Sequence, residues 1–154
     1  MTVRLADAAD LEAVIQLERA TAEAPHWAES EYAAMLVLAS GEVRRCLFVA
    51  EGELGLVGFA VGKVIGTGSE SSAELESVAV AASARRAGVG RMLCAAVIDW
   101  CRAQGGVVIQ LEVRAASVGA IALYSGLGFV VEGRRPRYYQ EPVDDAVLMG
   151  LKLA

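Results

Sequence analysis

The sequence predicts an α/β or α+β domain, a sheet of about seven strands flanked by about four helices. Three observations carry that reading. The 154 residues are 55% hydrophobic, which suits one core over residues 1–154 and would leave two domains marginally small. Apolar spacing switches along the chain between strand-like runs and the i, i+3, i+4 spacing of helices. Glycines and polar tracts separate these segments where element ends are expected.

Taken in order, "TVRLA" at 2–6 reads as a first strand. "DLEAVIQLERA" follows as a helix, with Leu11, Val14, Ile15 and Leu17 on one face and Asp7 or Asp10 as its cap. The loop "AEAPHWAES" leads to a short helix, "EYAAMLVLA", that Gly41 ends. "RRCLFVAE", the turn "GE" and "LGLVGFAVGKVIG" form a hairpin. Its second strand carries Gly55, Gly58 and Gly62 and is expected to be bent or bulged. "GTGSESSAE" is a polar loop. The strand "LESVAV" then feeds a glycine loop and a long helix over about 88–104, with Val89, Leu93, Val97 and Trp100 on one side and Arg91 and Arg102 opposite. The strand "VVIQLEVRA", the helix "SVGAIALYSGLG" and the strands "FVVEGRR" and "DDAVLMGLKL" complete the chain.

Composition narrows the function classes. A formal net charge of −5 supplies no basic field for nucleic-acid binding through counterion release, so no nucleic-acid partner is expected. An acidic surface tolerates a cationic substrate instead. The N-terminus lacks the basic and apolar regions of a secretory leader, and no apolar run approaches the roughly 20 residues that span a bilayer. A cytoplasmic protein without a membrane partner is therefore expected. Cys46, Cys94 and Cys101 are odd in number and lack CxxC spacing. On a shared helix Cys94 and Cys101 stand roughly 10 Å apart along the axis, too far to bridge, so reduced buried thiols are expected. His26 is the only histidine, and no metal site is expected.

The stretch "LESVAVAASARRAGVGRMLCAAVIDW" at 75–100 raises the chemical question. A P-loop requires a lysine and a Ser or Thr after its last glycine, but Arg91 and Met92 follow Gly90. The dinucleotide fingerprint requires a third glycine, and the chain continues to Leu93. ATP, GTP and NAD are disfavoured. What remains is a helix N-terminus with free N–H groups and no Cβ at two positions, which suits a pyrophosphate or simply a tight strand-to-helix turn.

Two motifs decide between these. "RRAGVG" resembles the R/Q-x-x-G-x-G/A motif of the GNAT superfamily of acetyl-CoA-dependent N-acetyltransferases, and "AIALYSGLGF" resembles that superfamily's A-x-x-L-Y-x-x-x-G-F segment. Within the superfamily, "LEVRAASVGAIALYSGLGF" and "RRPRYYQEPVDDAVLMGL" are similar to RimI-type enzymes, which acetylate the N-terminal alanine of a small-subunit ribosomal protein. "EAPHWAESEY" resembles that group's H-x-F-P-W loop, keeping Trp27 and Tyr32 without the leading histidine. The resemblance implies a mostly antiparallel sheet splayed in the middle at the acetyl-CoA site. It implies acetyl-CoA as cosubstrate, cradled by Arg85, Arg86, Ala87, Gly88, Val89, Gly90 and Arg91. Where the group usually has Asn at the start of the short helix this chain has Ser117, a residue still able to cap a helix, so cofactor binding is expected to be weakened rather than lost.

An amine attacks a thioester only as the free base, and the resemblance implies Glu112 as the general base that takes its proton. It implies Tyr124 as the general acid, and a tyrosine with a pKa of about 10 is protonated at neutral pH and can donate to a leaving thiolate. The backbone of Val78, Ala79 and Val80 is implied as the oxyanion site. Near pH 7.5 roughly a quarter to a third of an N-terminal amine is neutral, against about a thousandth of a lysine. Arg135, Tyr138 and Tyr139 look like the R-x-x-Y-Y loop that closes over a peptide N-terminus, and Glu76, with Glu74, offers carboxylates to a cationic acceptor. The expected partner is thus a protein N-terminus, a basic ribosomal protein being one candidate. A small amine remains an alternative acceptor, since one fold hosts many. So does an acyl-CoA sensor without turnover, against which the retained Glu112 and Tyr124 argue.

Overall fold

A computed structural model describes residues 1–22, 24–37 and 40–153. In chain order it contains β1 (Thr2–Leu5), α1 (Leu11–Arg19), α2 (Glu29–Met35), β2 (Val43–Gly52), β3 (Gly55–Ile65), β4 (Ser72–Val80), α3 (Val89–Ala103), β5 (Val108–Arg114), α4 (Val118–Gly126), β6 (Val130–Tyr139) and β7 (Asp144–Lys152). The strands form one sheet in the order β1-β2-β3-β4-β5-β7-β6. Only the β4–β5 pair is parallel.

Local chemistry sets the start of α1. Asp7 accepts from the Ala9 amide at 2.9 Å while Asp10 accepts from the Asp7 amide at 2.8 Å, a reciprocal cap on one 3-10 turn that runs into the helix. Arg4 of β1 then donates to both Asp10 oxygens at 2.7 and 3.0 Å and ties the turn to the sheet.

Each face of the sheet carries an apolar cluster. On one, α3 buries Val89, Leu93, Cys94, Val97, Ile98 and Cys101 against strand residues such as Ala60, Val64, Leu75 and Ile109. On the other, Val14 of α1 and Tyr32 and Met35 of α2 cover Leu47, Val49, Phe59, Val61 and Ala79. All three cysteines are buried and free, and burial pushes the Cys94 and Cys101 thiols up to about 12. The glycines of β3 let α3 lie close: a Cβ at Gly62 would stand 2.6 Å from Val97 Cγ1, and one at Gly58 2.9 Å from Leu93 Cδ1.

Three departures from expectation bear on the site. β4 begins at Ser72, inside the stretch expected to be a polar loop, because residues 72–75 pair with β3. β6 continues through Pro136 to Tyr139, where a loop was expected; a bulge between Arg135 and Tyr139 absorbs the proline on this edge strand. α2 begins at Glu29, two residues early, and its expected end at 38–39 lies outside the described residues.

Two features open the middle of the sheet. β4 and β5 pair only through Ala73 with Ile109 and Glu74 with Gln110. Just beyond, β4 carries one extra residue against β3 at Glu76, and the two strands part. Because α1 and α2 cover the β2–β4 half of their face, the same face of β5 is bare, and Gln110 and Glu112 stand exposed between buried Ile109, Leu111 and Val113.

Candidate active site

The parted end of β4 leads to the glycine loop. Gly88, at φ 78°, precedes α3 in a left-handed conformation that costs a residue with a Cβ about 1–2 kcal/mol. The N–H groups of Gly88, Val89, Gly90 and Arg91 have no intrahelical acceptor. No acid stands in the first turn, and Arg85, Arg86 and Arg91 are exposed around it. Val89 is buried and Ala87 exposed, so these two offer backbone rather than side-chain chemistry. This end fits a diphosphate: free donors, a favourable helix end and three cations, with open space where a Gly88 Cβ would stand.

The loop also meets α4. A Cβ at Gly90 would lie 3.3 Å from Leu123 Cδ2, and one at Gly126 would lie 3.4 Å from Arg91 Nη1. Just past β4, the Ala81 amide donates to the Val57 carbonyl of β3 at 2.8 Å. By strand alternation the Ala79 amide also faces β3, while the amides of Val78 and Val80 face the gap. The oxyanion donors expected at 78–80 thus narrow to two.

At the start of α4, Ser117 makes no capping bond through its side chain. One turn into the helix and beyond, Tyr124 packs against Phe129 with ring centres 6.0 Å apart. Burial pushes its hydroxyl well above the ordinary tyrosine value, with Cys94 and Tyr139 adding to the rise. Tyr124 is therefore protonated at neutral pH.

On the bare face lies a cavity of about 350 Å³, walled by Lys63 and Glu74 on one side and by Gln110, Glu112, Glu132 and Arg135 on the other. The Arg135 guanidinium stands 3.7 Å from the Glu112 carboxylate and 5.2 Å from the Tyr138 ring centre. The nearby Glu112 carboxylate raises the Tyr138 pKa. Tyr139 is raised by burial first and by Glu112 next. The two tyrosine rings meet edge to face at 5.1 Å. Arg114 lies 4.4 Å over Tyr139 and donates to the carbonyls of Pro142 and Gln140, fixing the turn between β6 and β7.

The model of the acetyltransferase (GNAT) family matches residues 11–129. The chain belongs to the GNAT acetyltransferase family. It is 31% identical to the [ribosomal protein bS18]-alanine N-acetyltransferase of Escherichia coli (strain K12), over 99% of this chain and 98% of that one. The Salmonella typhimurium protein of the same name is 37% identical over 101 residues, which are 64% of this chain and 66% of that one. A crystal structure of the Escherichia coli ribosomal-protein-S18-alanine N-acetyltransferase superposes with a TM-score of 0.79 at 30% identity, covering 99% and 94% of the two chains. That of a ribosomal-protein-alanine N-acetyltransferase from Brucella melitensis does so at 0.82 and 26%, covering 99% of each.

As a GNAT acetyltransferase the chain takes acetyl-CoA as its acyl donor. Among the described residues no cluster of His, Cys, Asp or Glu is arranged to hold a metal ion, and no helix is long and apolar enough to cross a membrane. The structure gathers Glu112, Arg135, Tyr138 and Tyr139, and Tyr139 couples electrostatically to Tyr124. It sets Glu76 apart from the cavity lining, held by Arg45 at 3.0 Å and by Lys63 at 3.8 Å. Burial raises the Glu76 pKa against the pull of those two cations. Trp27 is half-buried and stacks with Arg45 at 5.2 Å, and Tyr32 is wholly buried.

Lys63, Gln110, Glu132, Arg114 and Arg45 escaped the reading of the sequence. One signal was present for Lys63, a lone charge inside the apolar run "GFAVGKVIG", which marks a strand position left partly open to solvent. Glu132 and Gln110, 3.0 Å apart, come from strands joined only through β7. No local pattern connects them.

Proposed function

We propose that this acetyltransferase modifies the α-amine of a protein N-terminus, with Glu112 as general base and Tyr124 as general acid. The observation that supports this is the cavity: it lies on the bare face beside the paired ends of β4 and β5, with Glu112 in its wall and Arg135 of β6 facing Glu112, and Tyr138 and Tyr139 follow on the same strand close enough to feel the Glu112 charge. Paired aromatic rings with hydroxyl tips suit a peptide terminus, which has both apolar surface and backbone polar groups. The similarity to enzymes named for ribosomal protein bS18 supports a basic ribosomal protein as acceptor, and hence a cytoplasmic reaction.

In this reading Glu112 takes a proton from the acceptor ammonium, directly or through one water, and the free amine attacks the thioester carbonyl. The amides of Val78 and Val80 receive the oxyanion. Tyr124 gives its proton to the departing thiolate. Arg135 holds the Glu112 carboxylate in place until an acceptor cation arrives. Glu74, Glu112 and Glu132 outnumber Lys63 and Arg135 in the cavity, which leaves a polyamine as the second reading.

The test is thiol release from acetyl-CoA with four acceptors: an Ala-starting peptide with basic residues following, the same peptide blocked at its N-terminus, a polyamine, and buffer. Turnover of the free peptide alone is expected. Preference for the polyamine would install the second reading, and silence with every amine would return the acyl-CoA sensor.

A further inference from the structure

Glu18 is the one wholly buried carboxylate among the described residues, in an otherwise apolar cluster under α1 and α2. A buried charge is costly unless several donors satisfy it, so its partners define its purpose. They are the Trp27 amide at 2.7 Å, the Tyr32 hydroxyl at 2.6 Å and the neighbouring Arg19 guanidinium. Arg19 also donates to the Trp27 carbonyl at 2.7 Å. Two successive residues of α1 thus grip both polar ends of residue 27, eight or nine positions along the chain, and fix the direction of its ring.

That ring stacks with Tyr32 at 5.7 Å and with the Arg45 guanidinium at 5.2 Å. Arg45 donates to Glu31 of α2 at 2.7 Å and to Glu76 of β4 at 3.0 Å. Lys63 stands between Glu76 and Glu74, 3.8 and 3.6 Å away, and Lys63 and Glu74 are cavity wall. A continuous set of charge-assisted contacts therefore runs from the buried Glu18 to the side of the cavity opposite Glu112.

We propose that Glu18 is a positioning residue for the acceptor: by holding Trp27 it sets Arg45 and Glu76, and with them the Lys63–Glu74 wall. This rests on the reading of the cavity as the acceptor site. Glu18 touches neither substrate, and its effect falls on acceptor binding rather than on acetyl-CoA or the chemical step. Desolvation raises its pKa, but the bonds from Tyr32, Arg19 and Trp27 outweigh that and hold the carboxylate ionised, the state in which it accepts all three.

The experiment compares wild type, Glu18→Gln and Arg19→Ala in a Trp100→Phe background, where Trp27 is the sole tryptophan. Steady-state kinetics with the free-N-terminus peptide are read beside Trp27 emission. Glu18→Gln is expected to raise the peptide KM about tenfold, leave kcat and the acetyl-CoA KM within about twofold, and shift the emission. Arg19→Ala, at a partly exposed guanidinium whose loss spares the core, should move the same two readouts by less. It decides the matter alone if Glu18→Gln fails to fold. An unchanged peptide KM in a folded variant, or equal loss in all three kinetic constants, would overturn the proposal and leave Glu18 a purely structural residue. A wild type silent on every peptide would overturn the acceptor reading, and this one with it. A blocked peptide and Glu12→Gln, an exposed acid on the same helix, serve as controls.

Discussion

The two ends of the proposed active site are made differently. The cofactor end is chiefly backbone: the amides of α3's first turn, a left-handed Gly88, and strand amides left free where β4 parts from β5, with the Arg85, Arg86 and Arg91 side chains exposed around them. The acceptor end is side chains, drawn from β3, β4, β5 and β6 and held by ion pairs and ring contacts. A backbone site is a property of the fold and tolerates most substitutions that leave the turn intact. A side-chain site can be retuned one residue at a time, which is how one fold accommodates many acceptors.

The sharpest way to break that division is at Glu112. Replacing a general base typically costs 10²–10⁴-fold in rate. Glu112→Gln should therefore lower kcat by about that factor and leave acetyl-CoA affinity within about twofold. Equilibrium titration with CoA beside the kinetics checks both halves. A loss of CoA affinity of the same size would mean that the two ends are not separable.

The opposite break is Gly88→Val. A β-branched residue at φ 78° is strained by about 1–2 kcal/mol, roughly tenfold, and its side chain would occupy the open space expected for the diphosphate. Acetyl-CoA affinity should fall about tenfold or more, with peptide KM nearly unchanged. A variant that lost both equally would have lost the loop as a whole.

The same contrast explains what was legible. The sheet, the helices and the glycine loop follow from periodicity and from residue types that only certain backbones require, so Gly88 and the β4–α3 junction were read at their places. The acceptor side follows from register. Lys63 meets Glu74 because β3 and β4 pair in one particular offset, and the extra residue at Glu76 lets Ser77 and Ala79 fall on the same face as Glu74. Tyr138 and Tyr139 reach Glu112 because a bulge absorbs Pro136 in β6. Bulges have no dependable sequence signature, and a one-residue slip reverses every side chain after it.

Acid sharpens the comparison by a smaller amount. α1 and its entry turn carry two carboxylates held below the ordinary range: Asp10, chiefly by its bonds from Arg4, and Glu18, where burial acts upward but Tyr32, Arg19 and Trp27 prevail. A folded pKa below the unfolded one contributes stability that is complete above the unfolded value of about 4 and is lost as pH falls through the folded value. The helix α3 buries no carboxylate. Hydrogen exchange between pH 5 and pH 3 should therefore loosen α1 and α2 before α3, and Asp10→Asn should flatten the difference. Uniform loosening would show that α1 is not the acid-sensitive part.

The smallest effect is expected at Ser117. A capping serine replaced by alanine costs about 0.5–2 kcal/mol, but the Ser117 side chain makes no cap bond here. Ser117→Ala should shift the urea midpoint by an amount equivalent to less than about 0.5 kcal/mol. Acetyl-CoA KM is the discriminating readout. If Ser117→Ala leaves it unchanged and Ser117→Asn lowers it, the serine is a place where the backbone-built end has given up a side-chain contact, and the division between the two ends holds even at the start of α4. If Ser117→Ala raises it severalfold, the hydroxyl serves the cofactor directly, and the cofactor end is less purely backbone than Gly88 and the parted strands make it.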